Sequence, residues 1–252
     1  MTKYSISCLC CTYNRPVLLE ESIKCFIDQD YDNKELIILN DQEGVTLSIS
    51  GDFDNIKIYN HSERFESLGA KRNYIKTLGN GDYYCIWDDD DLYTPYRLSE
   101  SVDLMQRNPQ VDIIKPKDSF ITFDGIKYKL ATNKFHSQAC IRKEYMNNHN
   151  YPLISLGEDA IFERGAKKEY IDIFPSFWSI FRCQSDTYHL SSVLYPHLQK
   201  QAWDGAKNNT LKGDVTLQPK FRKDYWEDMK NVLNKINGFW GNEFYEKIRR
   251  NQ

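Results

Sequence analysis

The sequence predicts an α/β fold in which a mostly parallel central sheet is flanked by helices and followed by a helical C-terminal extension. Short apolar runs alternate with helical patterns over roughly the first 90 residues, as in doubly wound sheets. The chain has 252 residues, of which 40% are hydrophobic, so it can form one large domain with an appendage. Several apolar runs end abruptly in polar residues, which places those residues at one edge of the sheet.

The first half of the chain has four predicted strands and two predicted helices. The strands are short runs of branched and aromatic residues, at Ser5–Cys11, Glu35–Leu39, Ile56–Tyr59 and Tyr83–Trp87. The helices are predicted at Val17–Asp28 and Leu68–Leu78, where apolar residues recur with a helical period. Gly79-Asn80-Gly81 then ends the second helix.

The second half is predicted to continue with mixed elements. A helix at Arg97–Arg107 precedes a strand at Val111–Ile114, a hairpin at Phe120–Leu130, a strand at Lys134–Arg142, a turn at Gly157–Asp159, a helix at Ala160–Lys168 and a strand at Ile171–Phe174. Residues 200–252 are predicted to be helical, with Trp203, Trp226 and Trp240 as packing anchors.

Charge and cysteine content restrict the class of protein. The net charge of −3 does not indicate nucleic-acid binding, although residues 200–252 hold eleven Lys and Arg against seven Asp and Glu. Of the seven cysteines, Cys8, Cys10 and Cys11 cluster on the first predicted strand without a matching second pair, which favours reduced thiols over a disulfide framework or a zinc site. There is no signal peptide and no apolar run of about 18 residues, so we expect a cytoplasmic protein without a transmembrane segment.

Four consecutive carboxylates, Asp88–Asp91, directly follow the strand that ends at Trp87. A buried strand cannot continue into unpaired charges, so the chain must reach the surface there. Clustered carboxylates repel one another, and a hard divalent cation such as Mg²⁺ or Mn²⁺ would stabilise them. A solvated acidic turn, or a helix N-terminus, is the alternative.

Three strand ends are expected to meet at the same sheet edge. They are Thr12–Arg15, Asn40-Asp41 and Asp88–Asp91, and their side chains suit a ribose, a base or a metal ion. The sequence contains neither a GxGxxG nor a GxxxxGK[ST] motif, so neither standard phosphate loop is predicted.

Five segments together resemble glycosyltransferase family 2, over roughly residues 4–190. The similar segments are Thr12-Tyr13-Asn14-Arg15-Pro16, Leu39-Asn40-Asp41, Leu68-Gly69-Ala70-Lys71-Arg72-Asn73, Asp88-Asp89-Asp90 with Pro95 and Leu98, and Gly157-Glu158-Asp159. The second segment departs from the family, which usually has two aspartates where Asn40 stands first here. The resemblance implies a GT-A domain at 1–199, with a nucleotide-sugar half at about 1–115 and an acceptor half at about 116–199, followed by the extension at 200–252.

The resemblance also implies roles for residues of the nucleotide-sugar half. Asp41 would accept from the uracil base, Thr12, Asn14 and Arg15 would line the nucleoside pocket, and Arg72 would lie near base and diphosphate. Asp88 would bind ribose or metal-bound water, Asp90 would coordinate Mn²⁺ or Mg²⁺, and Asp89 would support the nucleotide side.

Asp159 is the predicted catalytic base, with Glu158 beside it on the acceptor side. A carboxylate there can take the proton of the attacking hydroxyl, which implies single displacement with inversion. Helix capping is the alternative for both residues. By resemblance, His189 is a candidate metal ligand, Arg182 a diphosphate contact and Trp178 part of the acceptor floor, with structural roles as the alternatives.

The sequence therefore predicts a metal-dependent inverting glycosyltransferase that uses a nucleotide-sugar donor, with UDP as the favoured nucleotide. The acceptor is predicted to be a glycan or a hydroxylated base in DNA, and the oligomeric state is not predicted. A nucleotidyltransferase and a non-catalytic nucleotide- or sugar-binding protein are the alternatives.

Overall fold

The computed structural model describes residues 4–123, 127–132, 135–171, 179–183, 211–237 and 246. Within these ranges the strands are β1 (Ile6–Thr12), β2 (Lys34–Asn40), β3 (Val45–Ile49), β4 (Ile56–Asn60), β5 (Tyr83–Ile86), β6 (Leu92–Tyr93), β7 (Ile113–Pro116), β8 (Asp118–Phe123), β9 (Lys127–Thr132), β10 (Cys140–Arg142), β11 (Lys168–Ile171), β12 (Ser179–Cys183) and β13 (Gly213–Leu217). The helices are α1 (Pro16–Ile27), α2 (Leu68–Lys76), α3 (Arg97–Arg107), α4 (Lys143–Asn148), α5 (Glu158–Phe162) and α6 (Tyr225–Asn237).

The main sheet has seven strands in the order β11-β7-β10-β5-β1-β2-β4. β10 is antiparallel to β5 and β7, whereas the other neighbouring pairs are parallel. The predicted mostly parallel α/β sheet is therefore confirmed. β5, β1 and β2 are adjacent in the middle of the sheet, so their carboxyl ends lie side by side.

Side chains alternate between the two faces of the main sheet, and each face has its own hydrophobic core. One core joins Cys8 and Cys10 of β1 to apolar residues of α1, α3 and α6, among them Phe26 and Met105. The other core joins Leu9 to residues of α2, α4 and α5. The period-two alternation of β1 thus places helices on both faces, as expected for a doubly wound sheet.

Several predicted boundaries in the second half are corrected by the structure. The segment predicted as one strand at Lys134–Arg142 contains a 3₁₀ turn at His136–Gln138, and only β10 is extended. The helix predicted at Ala160–Lys168 begins earlier and ends at Phe162, because Gly157 adopts a φ of 76° that starts it. The last strand of the main sheet, β11, ends at Ile171, and residues 172–174 of the predicted strand lie outside the described residues.

The C-terminal segment is only partly helical. The sequence predicts helix over 200–252 with breaks near Gly205, Gly213, Pro219 and Gly238. α6 agrees, but Gly213–Leu217, between two of these breaks, is a strand that pairs in parallel with β3. α6 contributes buried Trp226, Met229 and Leu233 to the core beside α1. Residues 211–237 therefore pack onto the first half of the chain, while Trp203, Trp240 and the predicted boundary at 199 lie outside the described residues.

None of the described helices has the length and apolar character of a membrane span.

Candidate functional site

The acidic turn, Asp88–Asp91, follows β5 and is held by two aromatic rings. Trp87 and Tyr93, which flank the turn in sequence, pack against each other with a centroid distance of 4.0 Å and an interplanar angle of 36°. The Tyr93 hydroxyl accepts a 2.7 Å hydrogen bond from the Asp88 main-chain nitrogen. The fully buried guanidinium of Arg97 lies 5.0 Å from the Trp87 ring and 4.4 Å from the Tyr93 ring. The carboxylates therefore project from a rigid frame, which the sequence did not predict.

Arg15 lies between two carboxylates of the acidic turn. Its Nη2 is 2.7 Å from Asp89 Oδ1, and its Nη1 pairs with Asp90 Oδ2. Burial raises the pKa of Asp89 to about 6, although Arg15 and a hydrogen bond from Thr12 oppose the shift. Burial alone would lower the pKa of Arg15, but Asp89 and Asp90 raise it above its ordinary value. Arg15 was predicted to line a nucleoside pocket, and the structure places it on the acidic turn.

A buried lysine connects the ends of β1 and β2. Lys71 Nζ lies 2.5 Å from Asp41 Oδ1 and 2.6 Å from the Thr12 carbonyl oxygen. Asp41 Oδ2 accepts a 3.1 Å hydrogen bond from the Phe65 nitrogen. The carboxylate is therefore fixed at the strand end, where the sequence predicts a base contact. Lys71 was not selected from the sequence, although it lies in the Leu68–Asn73 segment.

Replacing Lys71 by Met should destabilise the fold strongly. Asp41 would keep its charge in a site where both side chains are at most 6% exposed, which typically costs about 3–5 kcal/mol. We expect a matching decrease in the free energy of unfolding, measured by urea titration. Lys57→Met breaks an exposed pair with Glu35 and should cost about 0–1 kcal/mol. Equal losses for the two variants would contradict the role given to Lys71.

Asn40 has a structural role that explains why an amide stands there. Its Nδ2 donates to the Val45 carbonyl oxygen at 3.0 Å and to Asn60 Oδ1 at 3.1 Å. Its Oδ1 accepts from the Gln42 nitrogen at 3.2 Å. A carboxylate could not donate either bond, so an aspartate would lose the bond to Val45, and Asn60 Oδ1 would keep only the bond from the Leu47 nitrogen. The departure from the family pattern is thus tied to the connection between β2, β3 and β4.

Arg72 joins the acidic turn to the start of α5. Its Nη2 is 3.5 Å from Asp88 Oδ1, and its Nε is 3.3 Å from Glu158 Oε1. Burial would lower the pKa of Arg72, but Asp88 and other neighbours raise it above its ordinary value. A Cβ at Gly69, one turn earlier, would lie 1.8 Å from the Pro152 carbonyl oxygen, so glycine permits this close approach. Three predicted site residues therefore meet here.

Asp159 lies in the first turn of α5, next to buried Glu158. Its side chain is half-buried, and its Oδ1 accepts a 2.7 Å hydrogen bond from the Ala160 nitrogen. The N-cap is Gly157 and α5 has no side-chain cap bond, so Asp159 complements the helix dipole from the first turn without capping the helix. The contact with Ala160 uses one of its two carboxylate oxygens. The catalytic role of Asp159 remains a prediction.

A pocket of about 350 Å³ adjoins the ends of β1 and β2. It is lined by Tyr13, Gln42, Glu43, Arg64, Leu211 and Lys212. Asn14, with a φ of 55°, accepts at Oδ1 from Gln42 Nε2 and from the Leu211 nitrogen, each at 3.3 Å. The guanidinium of Arg64 lies 4.0 Å from the centre of the Tyr13 ring. Asn14 therefore holds two lining residues, Gln42 and Leu211, in place, and Tyr13 and Arg64 form part of the pocket wall.

Tyr13, Arg64 and Lys212 were missed at the sequence level. Tyr13 stands inside the first quoted motif, so its position was a usable signal. No sequence signal pointed to Arg64 and Lys212, because only folding brings these distant segments to the pocket.

Three further predicted residues make no described contact with these groups. Arg182 is on β12, in register with Thr122 of β8. Trp178 and His189 lie outside the described residues. Their roles remain predictions.

The acidic turn suits a cation that is shared with a substrate. Among the described residues, no group of three or more His, Cys, Asp and Glu is placed to hold a metal ion. Mg²⁺, however, is usually bound by one or two carboxylates together with substrate phosphates. Such hard oxygen donors are provided by half-buried Asp88 and by Asp90. Asp90 pairs with the Arg15 guanidinium at one of its two oxygens. The donor set therefore fits a metal ion that binds together with a nucleotide.

A buried charge network lies behind Arg72. Glu163 Oε1 is 2.6 Å from both Lys115 Nζ and His136 Nδ1, and His136 Nε2 is 2.8 Å from the Tyr151 hydroxyl. Burial would raise the pKa of Glu163, but His136 and Lys115 lower it from 4.5 to about 2. The Tyr151 ring lies 5.8 Å from the Arg72 guanidinium, so the network packs behind the residue that joins the acidic turn to α5.

The network predicts an acid-sensitive contribution to stability. A lowered carboxylate pKa stabilises the fold above the unfolded-state pKa, and this contribution is lost as the pH falls through the folded-state pKa. We expect the free energy of unfolding to fall between about pH 5 and pH 2, with a flatter dependence in Glu163→Gln. Urea unfolding across this range tests it, with exposed Glu169→Gln of β11 as the control. An unchanged slope in Glu163→Gln would contradict the assignment.

Comparison with protein families gives one match that covers more than half of the chain. A family model described as glycosyl transferase family 2 matches residues 7–159. The matched range runs from β1 into α5, so it includes Asp41, Arg72, the acidic turn and Asp159.

Curated relatives align with parts of the chain. An uncharacterized glycosyltransferase of Haemophilus influenzae is 27% identical over 170 residues, covering 59% of this chain and 50% of the relative. A Campylobacter jejuni protein named GalNAc(5)-diNAcBac-PP-undecaprenol beta-1,3-glucosyltransferase is 30% identical over 101 residues, covering 38% of this chain and 32% of the relative. The chain thus spans about a third to a half of the length of these relatives.

Solved structures share the fold at low sequence identity. S. aureus TarS 1–349 in complex with UDP-GlcNAc has a TM-score of 0.58 at 14% identity, covering 93% of this chain and 73% of that one. Mannosyltransferase PcManGT from Pyrobaculum calidifontis, in complex with GDP-Man and Mn²⁺, has a TM-score of 0.54 at 14% identity, covering 77% and 60%. At such identity the similarity concerns the fold, and it confirms the predicted GT-A architecture.

Proposed function

The chain belongs to glycosyltransferase family 2, and on that premise we propose that it transfers a sugar from a UDP-sugar to an acceptor hydroxyl with inversion. One observation carries the proposal: the acidic turn after β5 adjoins the Asp41–Lys71 pair and Arg72 at the same edge of the sheet. A nucleotide laid across this edge would meet groups suited to its base, ribose and diphosphate.

The donor would be held mainly by residues of the first half. Lys71 and the Phe65 nitrogen fix the carboxylate of Asp41 near the Tyr13 pocket. This carboxylate would accept a hydrogen bond from an N–H group of the nucleotide base. Arg72 offers a planar guanidinium that suits diphosphate oxygens. TarS was solved with UDP and UDP-GlcNAc, and PcManGT with GDP-Man, so a nucleoside-diphosphate sugar is the expected donor class.

Asp90, assisted by Asp88, would hold the divalent cation. When bound, the cation would neutralise negative charge that develops on the departing diphosphate. PcManGT was solved with Mn²⁺, which supports Mn²⁺ or Mg²⁺ in this chain as well. The rigid frame of Trp87, Tyr93 and Arg97 would keep the two carboxylates in place during the reaction.

Asp159 would act on the acceptor. As the acceptor oxygen forms its bond to the anomeric carbon, the bond from that carbon to the diphosphate breaks, and Asp159 takes the hydroxyl proton. The nucleoside diphosphate leaves with the bonding electron pair, and the configuration at carbon inverts. Arg72 pairs with Glu158, so the start of α5 is held close to the diphosphate side.

A saccharide is the proposed acceptor class. The Campylobacter jejuni relative is named for a lipid-linked saccharide, which supports this choice over a base in DNA. The net charge of −3 also disfavours a polyanionic acceptor.

A donor screen followed by an acceptor screen tests the proposal. Thermal shift with UDP-, GDP- and other nucleotide sugars, with and without Mn²⁺, should give a larger rise in Tm for UDP-sugars with Mn²⁺. Turnover with saccharide acceptors should release UDP, whereas a nucleotidyltransferase would release pyrophosphate from a nucleoside triphosphate. Transfer to duplex DNA alone would replace the acceptor class, and absence of any Tm shift or turnover across the panel would contradict the proposal.

A further inference from the structure

Arg15 occupies the carboxylate that is assigned to the metal ion. Its two terminal nitrogens bind separate residues, Nη2 to Asp89 and Nη1 to Asp90. The Arg15 side chain is 15% exposed, and its Nε is buried without a hydrogen-bond partner within the described part of the chain. The guanidinium is thus held only through its two carboxylate contacts as far as the described residues show.

The backbone at Arg15 is fixed by its place at the start of α1. Arg15 immediately precedes α1, and Pro16 stands at the first position of that helix. A long side chain on this anchored residue can change its terminal contacts without moving β1 or α1. Asp89 is fully buried, whereas Asp90 is 7% exposed, so Asp90 is the partner nearer to an incoming ligand.

A divalent cation at Asp90 would compete with Arg15. Both bind the same carboxylate, which Arg15 contacts at Oδ2, and two positive groups sharing one carboxylate repel each other strongly at low dielectric. Diphosphate oxygens would relieve that repulsion, because a guanidinium pairs well with phosphate. Metal and donor binding should therefore be coupled through Arg15.

We propose that Arg15 is an internal counter-cation that yields Asp90 to the metal ion when the donor binds. Without donor, Arg15 neutralises Asp89 and Asp90 and weakens metal binding. With donor, Nη2 stays on Asp89 while Nη1 leaves Asp90 for an anionic oxygen of the diphosphate. This inference rests on the proposed function and adds an order to it: the protein binds Mn²⁺ weakly alone and tightly together with the nucleotide.

Mn²⁺ binding without catalysis tests the inference, measured by the EPR signal of free Mn²⁺ with and without UDP. Arg15→Gln in an Asp89→Asn background removes the buried charges of Arg15 and Asp89 together, so neither is left without the other. The variant should therefore fold, and circular dichroism and Tm check this. Asp89→Asn alone keeps the Arg15–Asp90 pair and is the reference. Without UDP we expect the double variant to bind Mn²⁺ about tenfold tighter or more than Asp89→Asn. UDP should enhance Mn²⁺ binding less in the double variant than in the reference.

A second control separates this effect from the general loss of a neighbouring charge. Made in the same Asp89→Asn background, Arg72→Gln removes a guanidinium beside Asp88 rather than Asp90, and should tighten Mn²⁺ binding less than Arg15→Gln does. Equal Mn²⁺ affinity in the double variant and Asp89→Asn, or an equal gain in Arg72→Gln, would overturn the inference while leaving the proposed function standing. Absence of Mn²⁺ binding in the wild type even with UDP would overturn both.

Discussion

Asp90→Asn should reduce sugar transfer by about a thousandfold in kcat/KM, because the amide keeps the size of the side chain and loses the charge that would hold the cation. Folding should be retained, since Arg15 keeps its 2.7 Å contact with Asp89 and loses only the charge at Asp90. Steady-state release of UDP, with Tm as the measure of folding, gives the comparison.

Asp103→Asn is the matched control for this substitution. Asp103 is an exposed carboxylate on α3 that pairs with Arg107 one helical turn away. Surface pairs of this kind contribute little to stability, so activity and Tm should stay near wild type. If Asp90→Asn kept more than about half of the wild-type kcat/KM, Asp90 would not be the metal ligand.

The place where the candidate site forms was predictable from strand direction, but its exposure was not. The prediction that the chain reaches the surface after Trp87 was wrong for three of the four carboxylates, since Asp89 and Asp91 are fully buried and Asp90 is 7% exposed. The parallel order of β5, β1 and β2 nevertheless brings Thr12, Asp41 and Asp88 to one edge, and Arg15 supplies charge that the buried carboxylates need. The sheet and most of its strands followed from the same period-two and period-3.6 patterns.

The partners of these residues were not predictable in the same way. Lys71 and Asp41 are 30 positions apart, and Arg15 and Asp90 are 75 apart, so neither pair leaves a local pattern. Before folding, the acidic turn indicates only that some positive group is needed. In the structure, Arg15 supplies part of that positive charge by pairing with Asp89 and Asp90. The motif alone could not show whether an arginine or a metal ion provides it.

The C-terminal strand shows the same limit for secondary structure. Gly213–Leu217 is only five residues long and pairs with β3 across 168 positions, as in the contact between Ser48 and Thr216. A short exposed segment without strong alternation offers little intrinsic preference, and its tertiary partner decides its conformation. The helical prediction for 200–252 was therefore right for α6 and wrong here.

Asp159 differs from Asp90 in what its removal should affect. The Ala160 nitrogen donates to Asp159 Oδ1, and an asparagine can still accept that bond, so the start of α5 should remain intact. The proposed donor contacts lie on β1, β2, α2 and the acidic turn, and the substitution alters none of them. An amide cannot take a proton from the acceptor hydroxyl, so the loss should fall on the chemical step.

We therefore expect Asp159→Asn to lower kcat by about 10²–10⁴-fold while the Kd for the donor changes by less than about twofold. Calorimetric binding of UDP-sugar with Mn²⁺, alongside kcat for transfer, separates the two effects. Glu144→Gln removes an exposed carboxylate from the first turn of α4 and should leave both quantities unchanged. Wild-type kcat in Asp159→Asn would limit Asp159 to complementing the helix dipole of α5, and parallel losses of kcat and donor affinity would place it on the donor side of the site.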